Sequence, residues 1–326
     1  MPLPPRLGVG DLFDGFIVEA VLHDSRETLL YRVRDEISGE QCVLKTLVPD
    51  LEEDEPTRTL LAREVWMLSR AASRHLPQVI PLAADRASAA YILISWHEGD
   101  TLQQLLDAGR HFTVSDAANL GTLMLKGLGA LHRLDILHRD IKPDNLHLGA
   151  DGVLRLLDLG VAVTGSDEAT SLANTNGATH QGHLSNPGTP IYMAPELLSG
   201  TACSVESDLY AVGVTLYHLL TRKYPYGEIE PFQHPRYGDP VAPTRYRPET
   251  PAWLEEVLLK AVAREKKARF TTAEEFLLAL ELGDRSRLRV PRRSPLLERN
   301  PALFWRGLSV VSVIVNLVLL FLLNKR

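Results

Sequence analysis

Cysteine is scarce: Cys42 and Cys203 are the only two in 326 residues. Being so few and so far apart, they exclude a disulfide framework and a cysteine-built zinc site, and make a reducing compartment the expectation. No apolar run behind basic residues opens the chain, so no secretory leader is expected. Basic residues are thin in the body and gathered near the end. Residues 284–306 carry seven Arg against Asp284 and Glu298, and Lys325 and Arg326 follow, so a net charge of −6 leaves about −13 on residues 1–283. An acidic body argues against nonspecific nucleic-acid binding, and no nucleic-acid partner is expected. Disorder is also excluded: 45% of residues are hydrophobic, enough for one large domain or two ordinary ones.

What the chain does have is a dense polar group at His138-Arg139-Asp140-Ile141-Lys142-Pro143-Asp144-Asn145, followed by Asp158-Leu159-Gly160. A carboxylate, an ammonium and an amide within six residues, with a second carboxylate on the next strand-like run, suit phosphoryl transfer from a nucleotide–metal complex to a hydroxyl. That chemistry needs positioning and charge compensation more than covalent steps, so a short rigid loop suffices.

These two stretches resemble the catalytic loop, H-R-D-x-K-P-x-N, and the metal-binding loop, D-F-G, of the eukaryotic-type protein kinases found also in bacteria. Lys142 resembles the serine/threonine branch. The resemblance implies an α+β fold of two lobes, a small β-rich N-lobe and a larger α-rich C-lobe. It also implies ATP with Mg²⁺ or Mn²⁺ as cofactors. In that reading Asp140 orients the hydroxyl and Lys142 compensates charge as the catalytic pair, while Asn145 and Asp158 hold metal.

The boundaries follow from the pattern. Residues 1–12 read as an irregular lead-in, 13–282 as the kinase domain (N-lobe 13–95, hinge 96–99, C-lobe 100–282), 283–303 as an Arg/Pro-rich linker and 304–323 as a membrane span. Strands are expected at Phe16–Leu22, Leu29–Val33, Gln41–Lys45 and Tyr91–Ile94, and a helix over Thr57–Ala72. By resemblance, Lys45 binds the nucleotide phosphates and Glu64 pairs with it. Leu30 and Val43 form the roof over the base, Leu22 also binds the cofactor, Ile94 is the gatekeeper, and Trp96 and His97 lie in the hinge. His147 stands where the family puts a leucine beneath the adenine; it either stacks on the base or faces elsewhere as a strand residue.

One departure is sharp. Between the first two strands the family carries G-x-G-x-x-G, and here the positions read His23, Ser25 and Thr28, with no glycine. Weaker or slower nucleotide binding is the expectation.

In the C-lobe, helices are expected at Thr101–Ala108, Val114–Leu134, Trp253–Val262 and Thr272–Leu282. Asp158 to Glu196 resembles an activation segment, mobile over 164–186, with Arg139 able to bind a phosphate placed on it. Thr189 resembles the serine/threonine-kinase threonine that contacts Asp140 and Lys142. Asp208 resembles the aspartate that holds the catalytic loop's backbone, and Arg269 the partner of Glu196. Seven prolines between Tyr224 and Pro251 imply that the usual substrate-facing helix is shortened or replaced by loop.

From Gly307 to Leu323 run seventeen residues without a charge, flanked by Trp305, Arg306, Lys325 and Arg326. This reads as a single membrane span with the kinase domain on the cytosolic side of the cytoplasmic membrane. Asn316 at mid-span suggests a helix–helix contact and hence a homodimer. The partners expected are protein Ser/Thr hydroxyls, the membrane, a second copy through the span, and a cognate phosphatase encoded elsewhere. The rival reading is a pseudokinase or scaffold, favoured by the glycine-free loop and opposed by the complete set Lys45, Glu64, Asp140, Lys142, Asn145 and Asp158.

Overall fold

The computed structural model describes residues 1–51, 55–82, 86–160, 162–164, 189–228 and 237–285, with backbone only at 55–58, 60, 164, 189, 284 and 285. The span expected at 304–323, nearly all of its linker and most of the expected mobile run at 164–186 lie outside these residues. Among the described residues no helix is long and apolar enough to cross a membrane.

Strands β1 (Leu12–Phe13), β2 (Phe16–Asp24), β3 (Thr28–Asp35), β4 (Gln41–Leu47), β5 (Val79–Ile80) and β6 (Ile92–Ser95) form one antiparallel sheet, in the order β1-β2-β3-β4-β6-β5. Side-chain alternation gives this sheet two buried faces. Phe16, Val18, Leu29, Tyr31, Val33, Cys42 and Leu44 pack on the outer face, while Leu30, Val43 and Ile94 face the cleft. As the strand between β3 and β6, β4 is buried from Cys42 through Leu47, which is why a lysine in it lies inside the protein.

Helix α1 (Glu55–Arg70) turns Leu61, Met67 and Leu68 inward at helical spacing, and Glu64 lies on that same face. The loop after it is tied to the second lobe, since His75 O accepts from Leu156 N at 2.9 Å and His75 Nδ1 bonds Leu154 O at 2.8 Å.

The second lobe begins with β7 (Gly99–Thr101), α2 (Leu102–Asp107) and α3 (Val114–His132). Both helices start at a capping residue: Thr101 with Gln104, and Thr113 with Asp116, form reciprocal capping boxes. Strands β8 (Ile136–Leu137), β9 (Leu146–Gly149), β10 (Leu154–Leu156) and β11 (Val163–Thr164) pair as β10-β9-β7 and β11-β8. The helices α4 (Pro195–Leu198), α5 (Val205–Thr221), α6 (Ala252–Ala261) and α7 (Ala273–Arg285) complete it. Nearly every residue of α5 is buried, so this helix, apolar almost all round, forms the lobe's centre. The described part of 224–251 holds a single 3-10 turn, Pro243–Arg245, and no α-helix, in line with its prolines. Helix α7 extends three residues into the expected linker.

Candidate active site

Three elements from distant parts of the chain meet at Lys45. The ammonium lies 2.7 Å from Glu64 Oε2 on α1 and 2.7 Å from Asp158 Oδ1 in the loop after β10. Burial works against the charge of Lys45, and the two carboxylates outweigh it, so its pKa stands above the ordinary lysine value. Burial likewise pushes Asp158 up, but the Lys45 charge and hydrogen bond, with the Gly160 N–H, hold its carboxyl down to about 2. Both groups are therefore ionised near neutrality.

The loop from His138 to Asn145 is organised around Asp140. Its Oδ2 accepts from Lys142 Nζ at 2.7 Å and from Asn145 Nδ2 at 2.8 Å, and its backbone carbonyl accepts from the same amide at 2.9 Å. These bonds leave Oδ1 outside the network and turn the Asn145 amide oxygen away from Asp140. Pro143 opens the 3-10 turn Pro143–Asn145, where the missing N–H costs nothing and the fixed φ is already suitable.

Beneath the loop, buried Asp208 accepts from His132 Nε2 and from the backbone N–H groups of His138 and Arg139, each at 2.9 Å. Arg139 and Asp158 both sit in the left-handed region, at φ 70° and 60°. Such backbone costs about 1–3 kcal/mol for a non-glycine residue and persists only where its surroundings over-determine it, as Asp208 and Lys45 do here. Burial opposes ionisation of Asp208, and the His132 hydrogen bond with the loop's N–H groups overcomes it, leaving its pKa below the ordinary carboxylate value.

The expected base pocket is brought together in part. Val43 and Ile94 are cross-strand partners, and Leu30 and Trp96 pack on the same cluster. Leu22 lies apart, 41% exposed near the tip of β2. The ring of His97 is bonded to Ser95 Oγ at 3.0 Å. Half-buried His147 pairs with Thr101 across β9 and β7. Burial lowers the pKa of both histidines, so they are neutral near pH 7. The side chain of Thr189 lies outside the described residues.

Of the two buried pairs, one was expected from the sequence and the other was not. Glu196 and Arg269 form the expected pair, bidentate at 2.7 Å, with the Arg269 side chain fully buried. His132 was missed; the signal available was that Asp208, a carboxylate inside an apolar helix, requires a mate.

No group of three or more His, Cys, Asp or Glu able to hold a metal ion occurs among the described residues. The Asn145 and Asp158 pair nevertheless fits a magnesium-type ion, which keeps water and phosphate oxygens as its remaining ligands and needs only one or two carboxylates.

The sequence matches the protein kinase domain family over residues 28–276. The chain belongs to that family. Its domain is that of a serine/threonine protein kinase, a class of ATP-dependent phosphotransferases that use a divalent metal and act on protein hydroxyls. Bacterial proteins are among the similar curated ones. A probable serine/threonine-protein kinase of Streptomyces coelicolor is 30% identical over 77% of this chain and 37% of its own length. Probable serine/threonine-protein kinase PknB of Corynebacterium glutamicum is 28% identical over 84% of this chain and 42% of its own. Serine/threonine-protein kinase pkn3 of Myxococcus xanthus is 30% identical over 85% of this chain and 52% of its own. The chain thus spans between a third and about half of these relatives. Among solved structures, the Mycobacterium tuberculosis PknI kinase domain shares the fold with TM-score 0.60 at 24% identity, covering 85% of this chain and 99% of that one.

Proposed function

We propose that this chain is a membrane-tethered protein kinase that moves the γ-phosphoryl group of ATP to serine or threonine hydroxyls. The observation that carries the catalytic part is Lys45 bridging Glu64 and Asp158 at 2.7 Å, an arrangement that joins both lobes around one ammonium. Lys45 binds the nucleotide phosphates and Glu64 holds its ammonium in place. Leu30, Val43 and Ile94 wall the base, with Leu22, Trp96, His97 and His147 at its margins. Asp140 accepts the hydrogen bond of the incoming hydroxyl, Lys142 offsets charge on the transferred group, and Asn145 and Asp158 hold Mg²⁺ or Mn²⁺. The bound metal–ATP complex supplies the phosphoryl group and neutralises charge on it; the side chains supply position and compensation.

Support for tethering is the charge-free run at 307–323 with its basic flanks. The same run supports cytosolic placement of the domain and self-association through the span. A cognate phosphatase is a natural counterpart of any such enzyme.

The test is incubation of the full chain with labelled ATP and a generic basic protein, beside Asp140→Asn. Label on protein serine or threonine that falls at least about a hundredfold in the variant is expected. Equal label in both would remove the catalytic reading. The pseudokinase reading retains one specific observation, the committed backbone donors of the β2–β3 turn, and it predicts nucleotide binding without transfer.

A further inference from the structure

The turn between β2 and β3 spends its backbone donors on itself. Ser25 N–H donates to Thr28 O at 3.1 Å, and the N–H groups of Glu27 and Thr28 donate to Ser25 Oγ at 3.3 and 3.0 Å. The Ser25 hydroxyl in turn donates to Thr28 O at 3.0 Å. A loop that cradles phosphate through its backbone leaves such groups pointing outward, and this one has little left to offer in that way.

The side chains of the same turn compensate. Arg26 is exposed at the tip and makes no ion pair among the described residues. Asp24, which would repel an anion, is neutralised by Arg6, whose Nη1 donates to both carboxylate oxygens at 2.7 and 2.8 Å. Arg6 is delivered there by the lead-in: Pro2 O accepts from Ala90 N at 2.7 Å, Leu3 is buried, and Leu7 N donates to Tyr31 Oη at 3.2 Å. Register sets the turn over the site. Leu30 pairs with both His23 and Lys45, so the hairpin overhangs the end of the sheet that carries Lys45.

We propose that this chain holds the nucleotide's phosphates at the hairpin tip by side-chain charge, with Arg26 as donor and Arg6 cancelling Asp24, in place of the backbone N–H groups of a glycine loop. The inference rests on the nucleotide site proposed above. It assigns Arg26 a binding role and Arg6 a supporting one that acts through Asp24. Glu27, exposed in the same turn, is the carboxylate left uncompensated.

The experiment is equilibrium binding of ATP–Mg²⁺ and of adenosine to the full chain and its variants, at low and high salt. Arg26→Ala is expected to weaken ATP about tenfold and leave adenosine unchanged, with Arg26→Lys recovering part of the loss and added salt shrinking it. Arg6→Ala should weaken ATP about two- to fivefold, and that loss should vanish when Asp24→Asn is added, because nothing is then left for Arg6 to cancel. Glu27→Gln should tighten ATP. Wild-type binding with Arg26→Ala unchanged, or ATP and adenosine weakened equally, would overturn this inference alone. Failure of the wild-type chain to bind either ligand would instead remove the nucleotide site itself.

Discussion

At the residue scale the site is set by carboxylates kept charged against burial. Asp208 is 2% exposed and accepts three hydrogen bonds, two of them from the backbone N–H groups of His138 and Arg139, which hold Arg139 in an unfavourable backbone region. Replacing it with Ala strands one buried and one part-buried N–H group and His132, and about 3–5 kcal/mol of stability is expected to be lost in urea unfolding. Its sign with pH follows from a folded pKa below the unfolded carboxylate value of about 3.9. The stabilisation is complete above that value and drains as pH falls through the lower folded one. Asp158 behaves likewise, its contribution lasting until pH approaches about 2. Acid titration should therefore show stability falling below about pH 4, and Asp208→Asn, less stable at neutral pH, should show a shallower fall. A variant that loses stability with the wild-type slope would show that Asp208 is not one of the groups responsible.

At the scale of elements, the hinge is the position where sequence says least and geometry most. Gly99 has φ 145°, and an added Cβ would lie 2.2 Å from Leu148 O, so the close pairing of β7 on β9 admits only glycine. Gly99→Ala is expected to cost at least about 1–3 kcal/mol and to weaken ATP binding, since β7 continues from the hinge and pairs with the strand that carries His147. Thermal unfolding beside nucleotide titration checks both, and a variant that melts at the wild-type temperature would discount the close approach. Patterns long enough to repeat were legible: α1, α3, α6 and α7 begin and end within three residues of the sequence expectation. The ends of strands were less so. β2 runs on to Asp24 and β4 to Leu47 because pairing with β3 continues past the apolar alternation. The lead-in, read as irregular, indeed has no regular structure over residues 1–8, yet Leu3 is buried and Leu7 packs on the outer face of the sheet. No periodicity marks such a segment, because its packing is supplied by residues far away in the chain.

At the scale of the whole molecule, the tethering proposal has a direct check. Removing residues 304–326 is expected to move the protein from the membrane pellet to the supernatant while leaving the kinase domain folded. Retention in the pellet at the wild-type level would discount the span. The sequence by itself pointed to the family and the two-lobed α+β class through its resemblance to the protein kinases, and marked Lys45, Glu64, Asp140, Lys142, Asn145 and Asp158 as the candidate site residues, because the motifs that carry the resemblance are short and local. Tertiary structure decided the rest. It put the Lys45 ammonium 2.7 Å from carboxylates 19 and 113 residues away, gave Asp208 its histidine, and set Ser25 to consume the turn's own donors. Those outcomes depend on which buried charges find partners across the fold, and a pairing between distant segments leaves no local pattern in the chain.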